Sequence, residues 1–185
     1  MKRHLPNAIS ALRGLSILPL AWLLAVDAYE AAFAVALLAG LSDCVDGFIA
    51  KRFGWVSALG AWLDPIADKL FVLTTLLMLA LNGWLPMDLV KLVFARDLLI
   101  VAGALSYHWL IRPLDIAPRY LSKINTLLEI VLVLAVLAVA SGWALPAALI
   151  LGLIWLVALL TIVSGADYIW IWAQRAYREK WLRLD

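Results

Sequence analysis

The sequence predicts an all-α integral membrane protein, one bundle of six transmembrane helices with both termini in the cytoplasm. Three observations predict it. Of 185 residues, 66% are hydrophobic and only 15% charged, with a mean hydropathy of +0.99, whereas soluble domains are about half apolar. Apolar stretches of bilayer-crossing length, about 20 residues, recur along the whole chain. The cations collect in alternate connections, and that asymmetry sets orientation.

The spans are expected at residues 8–26, 29–50, 58–81, 85–110, 120–140 and 144–172. The first lies in "MKRHLPNAISALRGLSILPLAWLLAVDA", whose basic start, apolar middle and small residues at Ala25 and Ala28 also resemble a secretory signal. Arg13 interrupts that apolar region, and cleavage would leave an odd number of spans, so the segment is read as a retained helix. The second span ends at Lys51 and Arg52, and the third reaches "NGWLPMD", which holds Trp84. The fourth is followed by Arg112, Arg119 and Lys123, and the fifth ends at "SGWALP", which holds Trp143. The sixth runs into "YIWIWAQRAYREKWLRL", a mixture of aromatics and cations suited to a helix leaving the membrane along an anionic surface.

Lys2 and Arg3 at the start and Arg175, Arg178, Lys180 and Arg183 in the tail join Lys51, Arg52, Arg112, Arg119 and Lys123 on one side. The connections "DAYE", "NGWLPMD" and "SGWALP" carry no Lys or Arg, and Lys91 is the one cation nearer their side. Both termini and the second and fourth connections are therefore expected in the cytoplasm. Trp84 and Trp143 mark one interface, and Trp55, Trp109 and Trp172 the other. Cys44 is the only cysteine, which excludes an intramolecular disulfide. With no repeat, low-complexity tract or long linker, residues 1–185 are expected to form a single domain.

Against this apolar background, "SDCVDGFIAKRFGWVSALGAWLDPIADKL" concentrates four acids in residues 42–70. A carboxylate at the centre of a membrane helix costs about 2.5–3.5 kcal/mol on insertion scales. Asp43 and Asp46 are three residues apart at the end of the second span and share a helix face, which Gly47 and Ala50 continue with little side-chain bulk. Gly60, Asp64 and Asp68 follow at i, i+4 spacing along one face of the third span, with Pro65 among them. An antiparallel hairpin brings the two faces together. Four carboxylates at short range repel one another unless a cation neutralises them, and oxygen ligands without nearby His favour Mg²⁺, Mn²⁺ or Ca²⁺, naturally as a pair. Lys51 and Arg52 at the mouth suit anionic oxygens, so a phosphate or pyrophosphate with lipid tails is the expected ligand.

These residues resemble the signature of the CDP-alcohol phosphatidyltransferase family, D-x2-D-G-x2-A-R-x8-G-x3-D-x3-D. It reads as Asp43, Asp46, Gly47, Ala50, Lys51, Gly60, Asp64 and Asp68, with every spacing kept and Lys51 where the family has Arg. "LPNAISALRGLSILP", "FARDLL" and "LSKINTLLE" also resemble family segments. Asp97 in "ARD" and Asn125 in "SKINT" look more like the cardiolipin-forming, CMP-releasing branch than the phosphatidylglycerophosphate synthases.

The resemblance implies two divalent cations, Mg²⁺ or Mn²⁺, held by Asp43, Asp46, Asp64 and Asp68 against the pyrophosphate of CDP-diacylglycerol. Asp68 is also implied as general base. Gly47, Ala50, Lys51, Arg52, Gly60, Asn7 and Arg13 are implied on the nucleotide-lipid side. Arg96, Lys123 and Arg119 are expected to bind the phosphate of a glycerol-type acceptor, preferably phosphatidylglycerol, otherwise glycerol 3-phosphate. An ion pair of Arg96 with Asp97, Glu129 or the acidic cluster is the alternative for that arginine, and an interfacial position is the alternative for Arg119. A capping or positive-inside role explains Asn7 and Arg13 almost as well. The family implies a homodimer among membrane lipids, with no nucleic acid partner, and a bacterial cytoplasmic membrane is the expected location. The rival class, an ion-coupled transporter, would place its acids at the midplane of both halves of a repeat. This chain has them in one hairpin near one face. A purely structural protein would have no use for four acids at helical spacing.

Overall fold

The computed structural model describes residues 5–53, 58–110 and 120–182, with side chains described over 14–42, 67–103, 120–171 and at 174. Among the described residues it is all helical, with α1 (Leu5–Ala25), α2 (Tyr29–Phe53), α3 (Ala58–Leu81), α4 (Met87–Leu110), α5 (Tyr120–Ala140) and α6 (Ala147–Leu182). These are the six helices the apolar pattern predicts, with shifted ends. The fourth and sixth begin at Met87 and Ala147 rather than at 85 and 144. Pro86 and Pro146 account for this, because a proline has no N–H to give and is favoured at a helix start. Each carbonyl accepts one of the first helical bonds, from Leu89 N–H at 3.1 Å and from Leu149 N–H at 2.9 Å. α6 continues to Leu182, ten residues past the apolar limit at 172. Hydropathy marks where the apolar stretch ends, not where the helix does; Gln174 to Leu182 contains neither Gly nor Pro to stop it.

The three connections that lack cations close in the same way. Asp27 (φ 57°), Gly83 (φ 80°) and Gly142 (φ 89°) adopt left-handed backbone. Behind each, the next residue's N–H reaches back five positions: Ala28 to Leu23 O at 2.8 Å, Trp84 to Leu79 O at 2.9 Å and Trp143 to Ala138 O at 3.0 Å. This cap satisfies carbonyls that the ending helix leaves open, and glycine takes the conformation without strain. Asp27 is the exception, and its carboxylate accepts a hydrogen bond from Tyr29 Oη.

Asn82 fastens this end. Its Nδ2 donates to Leu24 O at 2.7 Å and to Tyr29 Oη at 3.2 Å, joining the α3–α4 turn to the α1–α2 turn. Tyr29 meets Trp84 edge-on, ring centroids 5.7 Å apart, and Phe33 meets Trp143 at 5.6 Å. Asn82→Ala is expected to cost about 1 kcal/mol, read as a lower thermal midpoint in detergent with unchanged KM values. An unchanged midpoint would show that the clasp contributes nothing.

α1 packs on α2 and α3, α3 also on α4 and α5, α4 on α6, and α5 on α2 and α6. Leu20, Leu24, Leu76, Leu79, Val93, Leu132 and Leu137 fill the interior toward the Asn82 end. Outside, the usual pattern is reversed. On α6, Leu151, Trp155, Leu159, Ile162 and Trp170 are exposed, while Thr161 and Ser164 are buried. Large apolar groups outward with hydroxyls inward is what lipid solvation selects, because helix contacts in lipid gain from packing and hydrogen bonding rather than from hiding apolar surface. Among the described residues, Tyr120–Ala140 and Ala147–Ile171 are long and apolar enough to cross a bilayer.

Candidate active site

The backbone is helical through Asp43 and Asp46 in α2 and through Asp64 and Asp68 in α3. The face-sharing read from the sequence therefore applies: positions 43 and 46 lie one turn apart, as do 60, 64 and 68. The side chains of Asn7, Arg13, Asp43, Asp46, Gly47, Ala50, Lys51, Arg52, Gly60 and Asp64 fall outside the described residues, and Arg119 does so entirely. Asp68 is described and half-buried. Over the described residues α2 packs on α1 and α5, and α3 on α1, α4 and α5, so the same two helices, α1 and α5, flank both arms of the hairpin.

Among the described residues, no three His, Cys, Asp or Glu side chains gather at metal-binding range. The donors expected from the sequence are the four aspartate positions at the α2 and α3 ends. As donors they fit a hard divalent cation, supplying carboxylate oxygens only, two from each helix, at spacings that put each pair on one face.

Beside Asp68 lies a polar network whose bonds between helices spacing alone did not disclose. Lys69 Nζ donates to Asp97 Oδ1 at 2.7 Å, and Arg96 Nη1 donates to the same oxygen at 2.7 Å. Arg96 Nη2 donates to Ser122 Oγ at 2.7 Å and to Ser164 Oγ at 2.8 Å. Arg96 is only 4% exposed, and its Nε has no partner among the described residues. Of the two readings open for this arginine, the ion pair with Asp97 is present. Gly165 lies next to Ser164, and a methyl group there would come within 3.7 Å of Arg96 Cγ. The α6 backbone thus runs close along the arginine stem.

One turn deeper, Asn125 Nδ2 donates to Glu129 Oε1 at 2.6 Å, and Thr161 Oγ1 donates to Asn125 Oδ1 at 3.2 Å. Asn125 and Glu129 are buried, at 0% and 3% exposure. In lipid an unpaired amide or carboxyl would find no water, so the pairing is what makes these groups tolerable there. Asp167 is half-buried on α6. Lys123 is exposed on α5, next to Ser122.

Sequence reasoning singled out Arg96, Asp97, Asn125 and Glu129 but missed Lys69, Ser122, Thr161 and Ser164. A usable signal existed in the spacing. Ser122, Asn125 and Glu129 follow at i, i+3, i+7 on α5, and Thr161, Ser164 and Tyr168 do the same on α6. Two polar stripes in two apolar helices imply that the helices face each other.

The family model described as CDP-alcohol phosphatidyltransferase matches residues 3–173. The chain is 34% identical over 183 residues to the "CDP-diacylglycerol--glycerol-3-phosphate 3-phosphatidyltransferase 1, chloroplastic" of Oryza sativa subsp. japonica, covering 89% of this chain and 56% of that protein. It is 33% identical over 153 residues to the "Cardiolipin synthase (CMP-forming)" of Homo sapiens, covering 72% and 50%. It is 32% identical over 157 residues to the protein of the same name from Streptomyces coelicolor, covering 80% and 72%. The chain spans about half the length of the rice and human relatives.

Proposed function

This chain belongs to the CDP-alcohol phosphatidyltransferase family, and we propose that it is an enzyme of phospholipid biosynthesis that moves a phosphatidyl group from CDP-diacylglycerol to a glycerol-type alcohol. The observation that carries the reading is the family match over residues 3–173, which encloses all four aspartates at their signature spacing. The preferred acceptor is phosphatidylglycerol, giving cardiolipin. That preference is supported by the cardiolipin synthases among the relatives and by Asp97 and Asn125. The rice relative, whose name specifies glycerol 3-phosphate, favours that acceptor as the second reading.

The family is generally dependent on divalent metal, and Asp43, Asp46, Asp64 and Asp68 would hold two ions, Mg²⁺ or Mn²⁺. Bound there, the ions supply charge stabilisation on the phosphate oxygens. Asp68 takes the proton from the acceptor hydroxyl. That hydroxyl oxygen forms a bond to the phosphorus bearing diacylglycerol, the bond from this phosphorus to the bridging oxygen breaks, and CMP leaves with its electron pair. Gly47, Ala50 and Gly60 leave room for the nucleotide, with Lys51, Arg52, Asn7 and Arg13 around its phosphates.

Lys123 and Arg119 take the acceptor's phosphate, and Arg96, tied to Ser122 beside Lys123, adds positive charge at that end of α5. Lys123→Ala is expected to raise the acceptor KM about tenfold, in the range of a lost charged hydrogen bond, while the CDP-diacylglycerol KM stays within about threefold. Equal rises in both would contradict the assignment. The cation distribution supports six spans with both termini and the site facing the cytoplasm of a bacterial inner membrane, and the family supports a homodimer.

The test is to give purified protein in lipid nanodiscs CDP-diacylglycerol and Mg²⁺ or Mn²⁺, with either phosphatidylglycerol or glycerol 3-phosphate, and to identify the product. Cardiolipin and CMP are expected. Phosphatidylglycerophosphate alone would transfer the reading to the second acceptor, and no product from either would overturn it.

A further inference from the structure

The proposed reaction leaves one close pair without a role: a lysine next in sequence to the general base, and the aspartate that holds it. Lys69 follows Asp68 on α3. Its ammonium is 2.7 Å from Asp97 Oδ1 on α4, an oxygen already bonded to Arg96. The Lys69 side chain is 36% exposed and that of Asp97 18%, against 3% for Arg96. The arginine is built into the interior; the lysine lies at its edge, next to the acidic face. Neighbouring helix positions point about 100° apart. The ammonium is therefore off the Asp64 and Asp68 face only while something keeps it there, because the four-carbon stem is flexible and the charge at its tip compact.

We propose that Asp97 is a positioning residue for the catalytic centre: it neutralises Lys69 and holds it on the α4 side, so that this ammonium does not compete with divalent cations for the carboxylates beside it. The inference rests on the proposed metal-dependent transfer. Arg96 gives Asp97 the rigidity the task requires, since bonds to Ser122 and Ser164 fix the guanidinium to α5 and α6. The carboxylate is thereby presented to α3 by three other helices at once. When Asp97 is lost, the site gains a positive charge and Lys69 gains freedom. Both weaken cation binding. When Lys69 is lost as well, the excess charge disappears.

The measurement is Mn²⁺ binding to the purified, lipid-reconstituted protein without substrate, followed by electron paramagnetic resonance. Asp97→Asn is expected to raise the Mn²⁺ dissociation constant about tenfold, equivalent to roughly 1.4 kcal/mol, and to raise the Mn²⁺ concentration for half-maximal turnover in parallel. Adding Lys69→Met to it is expected to restore binding to within about threefold of the unsubstituted protein, under 1 kcal/mol. Asp97→Glu, which keeps the charge, is expected to behave as the unsubstituted protein. A purely architectural aspartate would give a double variant no better than Asp97→Asn, and that result overturns the proposal, as does unchanged binding in Asp97→Asn. Lys69→Met alone tests the same point in a chain that keeps its Arg96–Asp97 pair. It is expected to bind Mn²⁺ at least as tightly as the unsubstituted protein, and weakened binding would overturn the proposal. If the unsubstituted protein binds no Mn²⁺, the metal-dependent reading fails as well, an outcome distinct from failure of the Asp97 variants alone.

Discussion

Asp68→Asn is expected to lower kcat at saturating Mn²⁺ by about 10²–10⁴-fold, the usual contribution of a positioned general base, while the protein keeps its fold and still binds divalent ions, less tightly for the lost ligand charge. The substitution is isosteric and leaves an oxygen that can face a cation, but an amide does not accept the proton of an attacking alcohol. Asp68 lies one turn beyond Asp64 in α3 and is half-buried, where an asparagine fits the same space. The check is CMP release under saturating CDP-diacylglycerol and acceptor, with Mn²⁺ binding and thermal midpoint measured on the same sample. A large fall in turnover that saturating Mn²⁺ does not restore, with the thermal midpoint preserved and Mn²⁺ still bound, is the expected pattern. Normal turnover would remove Asp68 as the base.

Arg96→Met is expected to destabilise the helix bundle by about 3 kcal/mol, near the lower end for removing one partner of a buried ion pair. The guanidinium makes three hydrogen bonds, to Asp97, Ser122 and Ser164, and these join α4 to α5 and α6. Methionine fills most of the stem's volume beside Gly165 but satisfies none of the three. In a bilayer each such bond contributes about 0.6 kcal/mol on average, or about 2 kcal/mol for the set. The rest comes from leaving the Asp97 carboxylate with Lys69 as its remaining cation. Reversible unfolding of the reconstituted protein in a detergent–denaturant titration measures this directly, and a loss below about 1 kcal/mol would show that the pair is not a structural anchor.

Much of the helix pattern was legible because a bilayer-crossing helix needs about 20 apolar residues, and stretches of that length recur along the chain. The third and fifth helices, residues 58–81 and 120–140, begin and end where that requirement places them. The ends that moved did so for reasons hydropathy does not register. Pro86 and Pro146 delay α4 and α6, and the polar tail extends α6 because helix formation does not require apolar residues. At 1.5 Å per residue, the 36 residues of α6 span about 54 Å, well beyond the roughly 30 Å hydrocarbon layer.

The site was legible in proportion to how local its determinants are. The acids at 43, 46, 64 and 68 declare themselves because i, i+3 and i, i+4 spacing is a property of one helix. The Lys69–Asp97 bridge links residues 28 apart, and the Arg96–Ser164 bond links residues 68 apart. No single-helix pattern contains either. Serines and threonines were overlooked because in apolar helices they commonly bond their own backbone, as Thr75 Oγ1 does to Phe71 O at 2.7 Å and Ser141 Oγ to Leu137 O at 2.7 Å. Ser164 and Thr161 differ in being matched by polar partners on a second and third helix.

The central claim is that aspartates from two neighbouring helices gather divalent cations that make the phosphatidyl transfer possible. Anomalous scattering from crystals grown with Mn²⁺ and CDP-diacylglycerol tests it most directly. The account predicts two manganese peaks bounded by the carboxylates of Asp43, Asp46, Asp64 and Asp68, with the pyrophosphate against them. Peaks elsewhere, or nucleotide lipid bound with those four carboxylates apart and without manganese between them, would contradict it.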